Sequence, residues 1–262
     1  MTVIEKMPLA GGELSYFRFG EGETPFVILP GMSLKPIAAS ASAIAGAYHA
    51  YCKEFSCVVF DYRQPVGDAD TPRDFARDVA TALDTLGIKN ACVFGASLGG
   101  MVAQWLAIDR PDLVSKLVLG STTAKTPTVG KAAMNEWAAL AESRDVAALN
   151  RSVWARLYTK AYLAQWADAF AYLENDGTDA ECARFVKLSQ VVCRMDAEAE
   201  LSKIACPTLV LAAGEDSIFP PACSEALAKA TGAEYFVYEN YSHSVFDEAP
   251  DYKDRLMAFF KG

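Results

Sequence analysis

Short apolar runs recur along the chain at Leu14–Phe19, Phe26–Leu29, Cys57–Phe60, Ala91–Phe94, Lys116–Leu119, Thr208–Ala213 and Glu234–Tyr238. Most are apolar at successive positions rather than at alternate ones. Parallel strands covered by helices on both faces read this way. Amphipathic segments lie between them: Ile37–Glu54, Pro72–Leu86, Leu98–Ile108, Pro220–Ala230 and Tyr252–Phe260. Strand–helix–strand alternation predicts an α/β fold with a mostly parallel central sheet, helices on both faces and right-handed crossovers. The punctuation agrees. Thr71 can cap a helix whose first position is Pro72, Gly87 can end it, and Pro220-Pro221 opens another.

One stretch breaks the rhythm. Residues 121–196 contain no clear strand and are rich in alanine and large aromatics: Trp137, Trp154, Tyr158, Tyr162, Trp166, Phe170 and Tyr172. The strand pattern resumes at Cys206-Pro207-Thr208. This predicts an α/β core from residues 1–120 and 197–262 with a helical cap from residues 121–196. Most of the aromatics are expected to pack the cap onto the core. Gly130 and Gly177 are read as turns within it.

Composition narrows the class. The 262 residues are 52% hydrophobic and 22% charged, as in a soluble globular protein, and no run approaches the roughly 18 apolar residues that cross a bilayer. The first residues carry Glu5 and Lys6 and do not read as a secretory signal. A net charge of −9 argues against nucleic acid and anionic membranes as partners. The seven cysteines include no C-x-x-C pair, and Cys57 and Cys92 sit inside strand-like runs. They read as reduced thiols of a cytoplasmic protein, with neither a disulfide framework nor a metal site.

Chemistry enters at Gly95-Ala96-Ser97-Leu98-Gly99, which fits G-x-S-x-G. An ordinary glycine turn is the alternative reading. The context favours a nucleophile elbow: an apolar strand leads in and an apolar helix leads out. The glycines are needed because a side chain two residues either side of the serine would collide with the backbone of so sharp a turn. The elbow would expose the Ser97 hydroxyl and aim the N–H of Leu98 at a developing oxyanion. A second donor is expected after the strand Phe26–Leu29, where Gly31 permits close approach and the N–H of Met32 follows.

A serine nucleophile needs a base. The chain has two histidines. His49 lies in the early Ala-rich segment and reads as a surface or half-buried residue. His243 follows the last strand and precedes the last helix, where catalytic loops gather in parallel sheets. The acid that orients it is expected at Asp216, just past the strand Thr208–Ala213 and 27 residues before His243. Glu215 is the adjacent rival; Asp61 breaks the Ser…Asp…His order; Asp247 is expected to cap the last helix.

These residues carry a resemblance. Gly95–Gly99, Gly214-Glu215-Asp216 with Pro220, and Ser242-His243 with Glu248-Ala249-Pro250 resemble the α/β-hydrolase superfamily, in particular small bacterial esterases, enol-lactonases and non-haem haloperoxidase-like hydrolases. The resemblance implies an α/β-hydrolase fold, a triad of Ser97, Asp216 and His243, oxyanion donors at Met32 and Leu98, and no cofactor. Two departures stand out: Pro30-Gly31 where many relatives have His-Gly, and Arg63-Gln64-Pro65-Val66-Gly67 where many have Arg-Gly-x-Gly. The expected activity is cleavage of a carboxylic ester, lactone or thioester through an acyl-enzyme. The competing readings are C–C bond hydrolysis, acyl transfer and a ligand-binding protein that kept the fold. The expected partner is a small apolar ester-like substrate, with Trp137, Trp154, Phe219 and Val245 expected around it. Assembly as a homo-oligomer is left open.

Overall fold

A computed structural model describes residues 2–262. Eight strands form one sheet in the order β1-β2-β4-β3-β5-β6-β7-β8: β1 Ile4–Leu9, β2 Gly12–Phe19, β3 Thr24–Leu29, β4 Phe55–Phe60, β5 Ala91–Ala96, β6 Val114–Gly120, β7 Thr208–Ala213 and β8 Glu234–Tyr238. From β4 to β8 every pairing is parallel, whereas β1 and β2 join antiparallel. The strand β1 is absent from the sequence expectation. It is an edge strand with exposed Ile4, Lys6 and Pro8, so it lacks the doubly buried run that marks its neighbours.

Strand residues divide by parity between two cores. Val27, Leu29, Val58 and Phe60 face α2 (Pro72–Leu86), α3 (Leu98–Asp109) and α9 (Pro221–Thr231). Phe26, Ile28, Cys57 and Val59 face the other layer, formed by Ala41, Tyr48 and α11 (Tyr252–Lys261). Successive side chains on a strand point to opposite faces, so a continuous apolar run feeds both. At the start of α2, Thr71 and Asp74 form a capping box with Pro72 in the first turn, and Gly87 closes the helix at φ 68°.

The segment Ile37–Glu54 is not one helix, as its composition suggests. It breaks into a 3-10 turn at Ile37–Ser40, α1 at Ala41–Ala47 and another 3-10 turn at His49–Tyr51. Its alanines bury little on the sheet, and only Ala41 of α1 is buried.

Between β6 and β7 lie five α-helices, α4 Thr128–Glu142, α5 Val146–Leu157, α6 Lys160–Gln165, α7 Ala167–Leu173 and α8 Asp179–Cys193, followed by a 3-10 helix at Glu198–Lys203. Gly130 is not a turn: it lies inside α4, where a Cβ would sit 3.0 Å from the Ile218 carbonyl oxygen and from the Phe219 ring. Trp154, Tyr158, Tyr162 and Phe170 form one aromatic cluster: Tyr158 and Tyr162 stack with ring centroids 4.9 Å apart, and Phe170 meets Trp154 at a tilt, also at 4.9 Å. Trp166 and Tyr172 are exposed.

Candidate active site

Met32, Ser97, Asp216 and His243 each follow the C-terminal end of a parallel strand, β3, β5, β7 and β8 respectively. Ser97 joins β5 to α3 at φ 54° and ψ −118°, a backbone conformation that few non-glycine residues adopt. The two motif glycines explain why the turn can close. A Cβ at Gly95 would meet the Gly99 carbonyl oxygen at 2.4 Å, and one at Gly99 would meet that of Leu29 at 1.9 Å. The turn is held on its far side by the Ser97 N–H on the Gly120 carbonyl at 2.9 Å and by the Thr122 hydroxyl on the Ser97 carbonyl at 2.7 Å.

The His243 ring lies with Nδ1 2.7 Å from Asp216 Oδ2, both side chains buried. The other oxygen, Oδ1, accepts the backbone N–H groups of Ile218 at 2.8 Å and Phe219 at 2.9 Å. The carboxylate is therefore fixed before the histidine is considered. The histidine loop is tied to the inserted helices: the Ser244 N–H donates to the Leu157 carbonyl at 2.7 Å, and the Thr159 N–H to Glu248 at 3.0 Å.

Ser97 and His243 open on one cavity of about 320 Å³ beneath the inserted helices. Gly31 and Met32 line it too, and a Cβ on Gly31 would stand 3.3 Å from that of Ser97. Among the described residues the N–H groups of Met32 and Leu98 donate to no protein acceptor. They are the unpaired donors expected of a loop and a helix N-terminus facing a ligand. The far wall is apolar, with Met134, Trp137, Leu149, Val153, Trp154 and Phe185. The cavity's side chains of fixed charge are Lys35 and Asp176, which pair with each other at 2.6 Å and are partly exposed.

Two residues expected around the substrate lie elsewhere. Val245 is fully buried in the core on the other face of the sheet, and its neighbour Phe246 lines the cavity instead. Phe219 packs edge-on to the His243 ring, with centroids 5.5 Å apart, and backs the histidine rather than the cavity. The rival acids are also elsewhere. Glu215 is exposed. Asp61 pairs with Arg184 at 2.6 Å. Asp247 lies in the short helix α10, Val245–Glu248, and accepts the Tyr158 hydroxyl at 3.1 Å; Asp251, not Asp247, is the N-cap of α11. Sequence reasoning passed over Lys35, Asn150, Asp176 and Arg184. The first three lie in loops or on an inserted helix, where no motif marks a lining position.

Two ionisation states follow from burial. The Tyr62 phenol is held well above its ordinary value, so it is neutral and donates to the Pro30 carbonyl. Burial, with the neighbouring Asp247 carboxylate, does the same to Tyr158 in the cavity wall. Among the described residues no group of three or more His, Cys, Asp or Glu side chains is arranged to hold a metal ion. No described helix is long and apolar enough to cross a membrane.

This sheet, this elbow and this order of strand-end residues are those of the alpha/beta hydrolase fold, and the chain belongs to that family, matching it over residues 24–250. It is a hydrolase. It is 30% identical over 185 residues to the "Putative carbamate hydrolase RutD" of Variovorax paradoxus, a match covering 67% of this chain and 68% of that one. It is 24% identical over 212 residues to 3-oxoadipate enol-lactonase 2 of Acinetobacter baylyi, covering 78% and 76%. Among solved structures, MGS-M2, an alpha/beta hydrolase from a deep-sea metagenome library of the Medee basin, superposes with a TM-score of 0.89 at 21% identity, covering 98% of each chain.

Proposed function

We propose that the chain hydrolyses small, uncharged carboxylic esters or lactones through Ser97, His243 and Asp216. The observation that carries this reading is the bond between His243 Nδ1 and Asp216 Oδ2 at 2.7 Å, on a ring that shares its cavity with a serine in a strained elbow. With Nδ1–H donated to the carboxylate, Nε2 is left as the lone-pair nitrogen that can take a proton.

His243 Nε2 accepts the Ser97 proton as the oxygen attacks the substrate carbonyl. The electron pair of that carbonyl moves onto its oxygen, which the Met32 and Leu98 N–H groups receive. Each such donor contributes about 2.7–4 kcal/mol in a well-studied serine protease. Collapse of the tetrahedral intermediate breaks the bond to the leaving oxygen, which takes the proton from His243. A water molecule then gives its proton to Nε2 and attacks the acyl-enzyme, releasing the acid and restoring Ser97. The inserted helices act as a cap that roofs the reacting carbonyl.

The substrate class follows from the wall. Lys35 is the cavity's one side chain of fixed positive charge and is already paired with Asp176. A substrate carboxylate would enter an apolar space without a free counter-charge, which is strongly unfavourable. The enol-lactonase likeness is therefore taken as support for the bond type alone. The test is a panel of neutral p-nitrophenyl esters, neutral lactones and esters with a free carboxylate, assayed on the wild type and on His243→Ala. Neutral substrates should turn over at least tenfold more efficiently than anionic ones, and His243→Ala should abolish both activities. Preference for the anionic members would refute the substrate class. Unchanged turnover in His243→Ala would refute the mechanism.

A further inference from the structure

The loop from Pro30 to Ile37 carries Met32 between β3 and the first 3-10 turn, and three groups outside the loop hold it. The Tyr62 hydroxyl donates to the Pro30 carbonyl. Arg184 Nη1 donates to the Ser33 carbonyl at 3.0 Å. Asp61 Oδ2 accepts the Ile37 N–H at 2.9 Å. Arg184 and Asp61 are joined through Nη2 and Oδ1 at 2.6 Å, with side chains only 6% and 5% exposed. Oδ1 also takes the Tyr62 N–H at 2.8 Å. Met32 is thus bracketed by Pro30 on one side and Ser33 on the other, and Arg184 reaches it from α8, an inserted helix whose Phe185 lines the cavity.

Stability alone is a poor reason for this pair. A buried ion pair roughly breaks even against apolar residues of similar size. Here the guanidinium Nε is buried with no partner among the described residues, so the pair is not even fully satisfied. What the pair does achieve is geometric. Arg184 is a rigid fork that spans a core carboxylate and a loop carbonyl, something a point-charge lysine does not reproduce.

We infer that Arg184 and Asp61 are positioning residues: they set the Met32 N–H in its oxyanion-binding place and make that placement depend on α8 being seated. This rests on the proposed role of Met32. The pair touches neither substrate nor the reacting atoms, and it acts through the loop.

The test removes both charges together, in Arg184→Met/Asp61→Asn, so that no unpaired charge stays buried. Arg184→Lys is made alongside; it keeps the charge opposite Asp61 but loses the fork. Readouts are the circular dichroism spectrum, kcat and KM on a neutral ester, and inhibition by a boronic acid whose tetrahedral serine adduct places an oxygen where the oxyanion forms. The double variant should keep its fold. Its kcat should fall at least tenfold with KM within about threefold, because an oxyanion donor acts in the transition state; complete loss of one costs 10²–10³. Boronate affinity should fall in step with kcat. Arg184→Lys should lose kcat in the same direction with the KM of the wild type. A folded double variant with wild-type kcat and boronate affinity overturns the inference. Should the double variant fail to fold, wild-type kcat in Arg184→Lys overturns it equally. Ser97→Ala measured in parallel separates the two levels: if it leaves turnover intact, the catalytic reading has failed, whatever the Arg184 variants do.

Discussion

Replacing Asp216 by Asn changes one atom, and the structure dictates how the new amide must sit. Oδ1 accepts two backbone N–H groups, those of Ile218 at 2.8 Å and Phe219 at 2.9 Å. Only the amide oxygen can take that place, since an NH₂ there would face two donors and leave both buried, at about 1–3 kcal/mol each. The NH₂ is therefore turned toward His243 Nδ1, where the carboxylate oxygen stood at 2.7 Å. Nδ1 must then accept rather than donate, Nε2 carries the proton, and the ring cannot take one from Ser97. The corresponding change in the serine-protease template lowers kcat about 10⁴-fold, or about 5.4 kcal/mol. Asp216→Asn should lower kcat at least about a hundredfold, or roughly 2.7 kcal/mol, with KM little altered. Glu215→Gln and Asp247→Asn serve as controls, because neither side chain reaches His243. The assay is kcat on a neutral p-nitrophenyl ester with circular dichroism to confirm folding. Turnover within about fivefold of wild type in folded Asp216→Asn, or collapse in a control instead, would refute the reasoning.

Gly99→Ala places a Cβ 1.9 Å from the Leu29 carbonyl oxygen and 2.6 Å from that of Pro30. Overpacking against rigid backbone should cost at least about 3 kcal/mol, or a fall of about 6–12 °C in Tm by calorimetry; an unchanged Tm would mean that the elbow relaxes freely. Trp154, half-buried in the cavity wall, is the place to widen the cavity. Trp154→Ala should raise kcat/KM for long acyl esters relative to short ones by roughly tenfold, and equal effects on all chain lengths would reduce it to a packing residue. Trp137→Ala should instead act first on stability, by about 3–5 kcal/mol, since that side chain is 2% exposed. The Cys57 thiol, pushed up to about 12 by burial, stays protonated at any working pH and should resist an aromatic disulfide reagent in the native protein. All seven cysteines should react in guanidinium, and rapid native labelling of Cys57 would contradict the burial.

What the sequence disclosed has a physical pattern. Strands buried on both faces announce themselves as unbroken apolar runs, as β3 to β7 do; β2 and the edge strand β8 keep enough apolar and aromatic positions to be read, while the edge strand β1, IEKMPL, does not. The elbow was legible because its glycines are required by close approach at Gly95 and Gly99. Asp216 and His243, whose side chains the structure places 2.7 Å apart, are expected from strand ends and chain order, information that lies along the chain. Side-chain direction does not lie along it. Val245, in the histidine loop, is expected around the substrate, but α10 sends it into the core and leaves Phe246 at the cavity. The link from Arg184 to Asp61 spans 123 residues, and no spacing rule reaches that far. One signal did exist: Arg184 shares a helix face with buried Leu188 and Val191, and a charge on an apolar stripe requires a partner.

The central claim is that Ser97 carries the acyl group. Intact-mass spectrometry on the wild type and on Ser97→Ala, after reaction with a fluorophosphonate and after rapid quenching with a slowly deacylating ester, measures this directly. The wild type should gain one adduct in each case, mapped by peptide sequencing to the segment containing Ser97, and Ser97→Ala should gain none. Adduct formation on folded Ser97→Ala, or wild-type adducts mapped to another serine, would contradict the account.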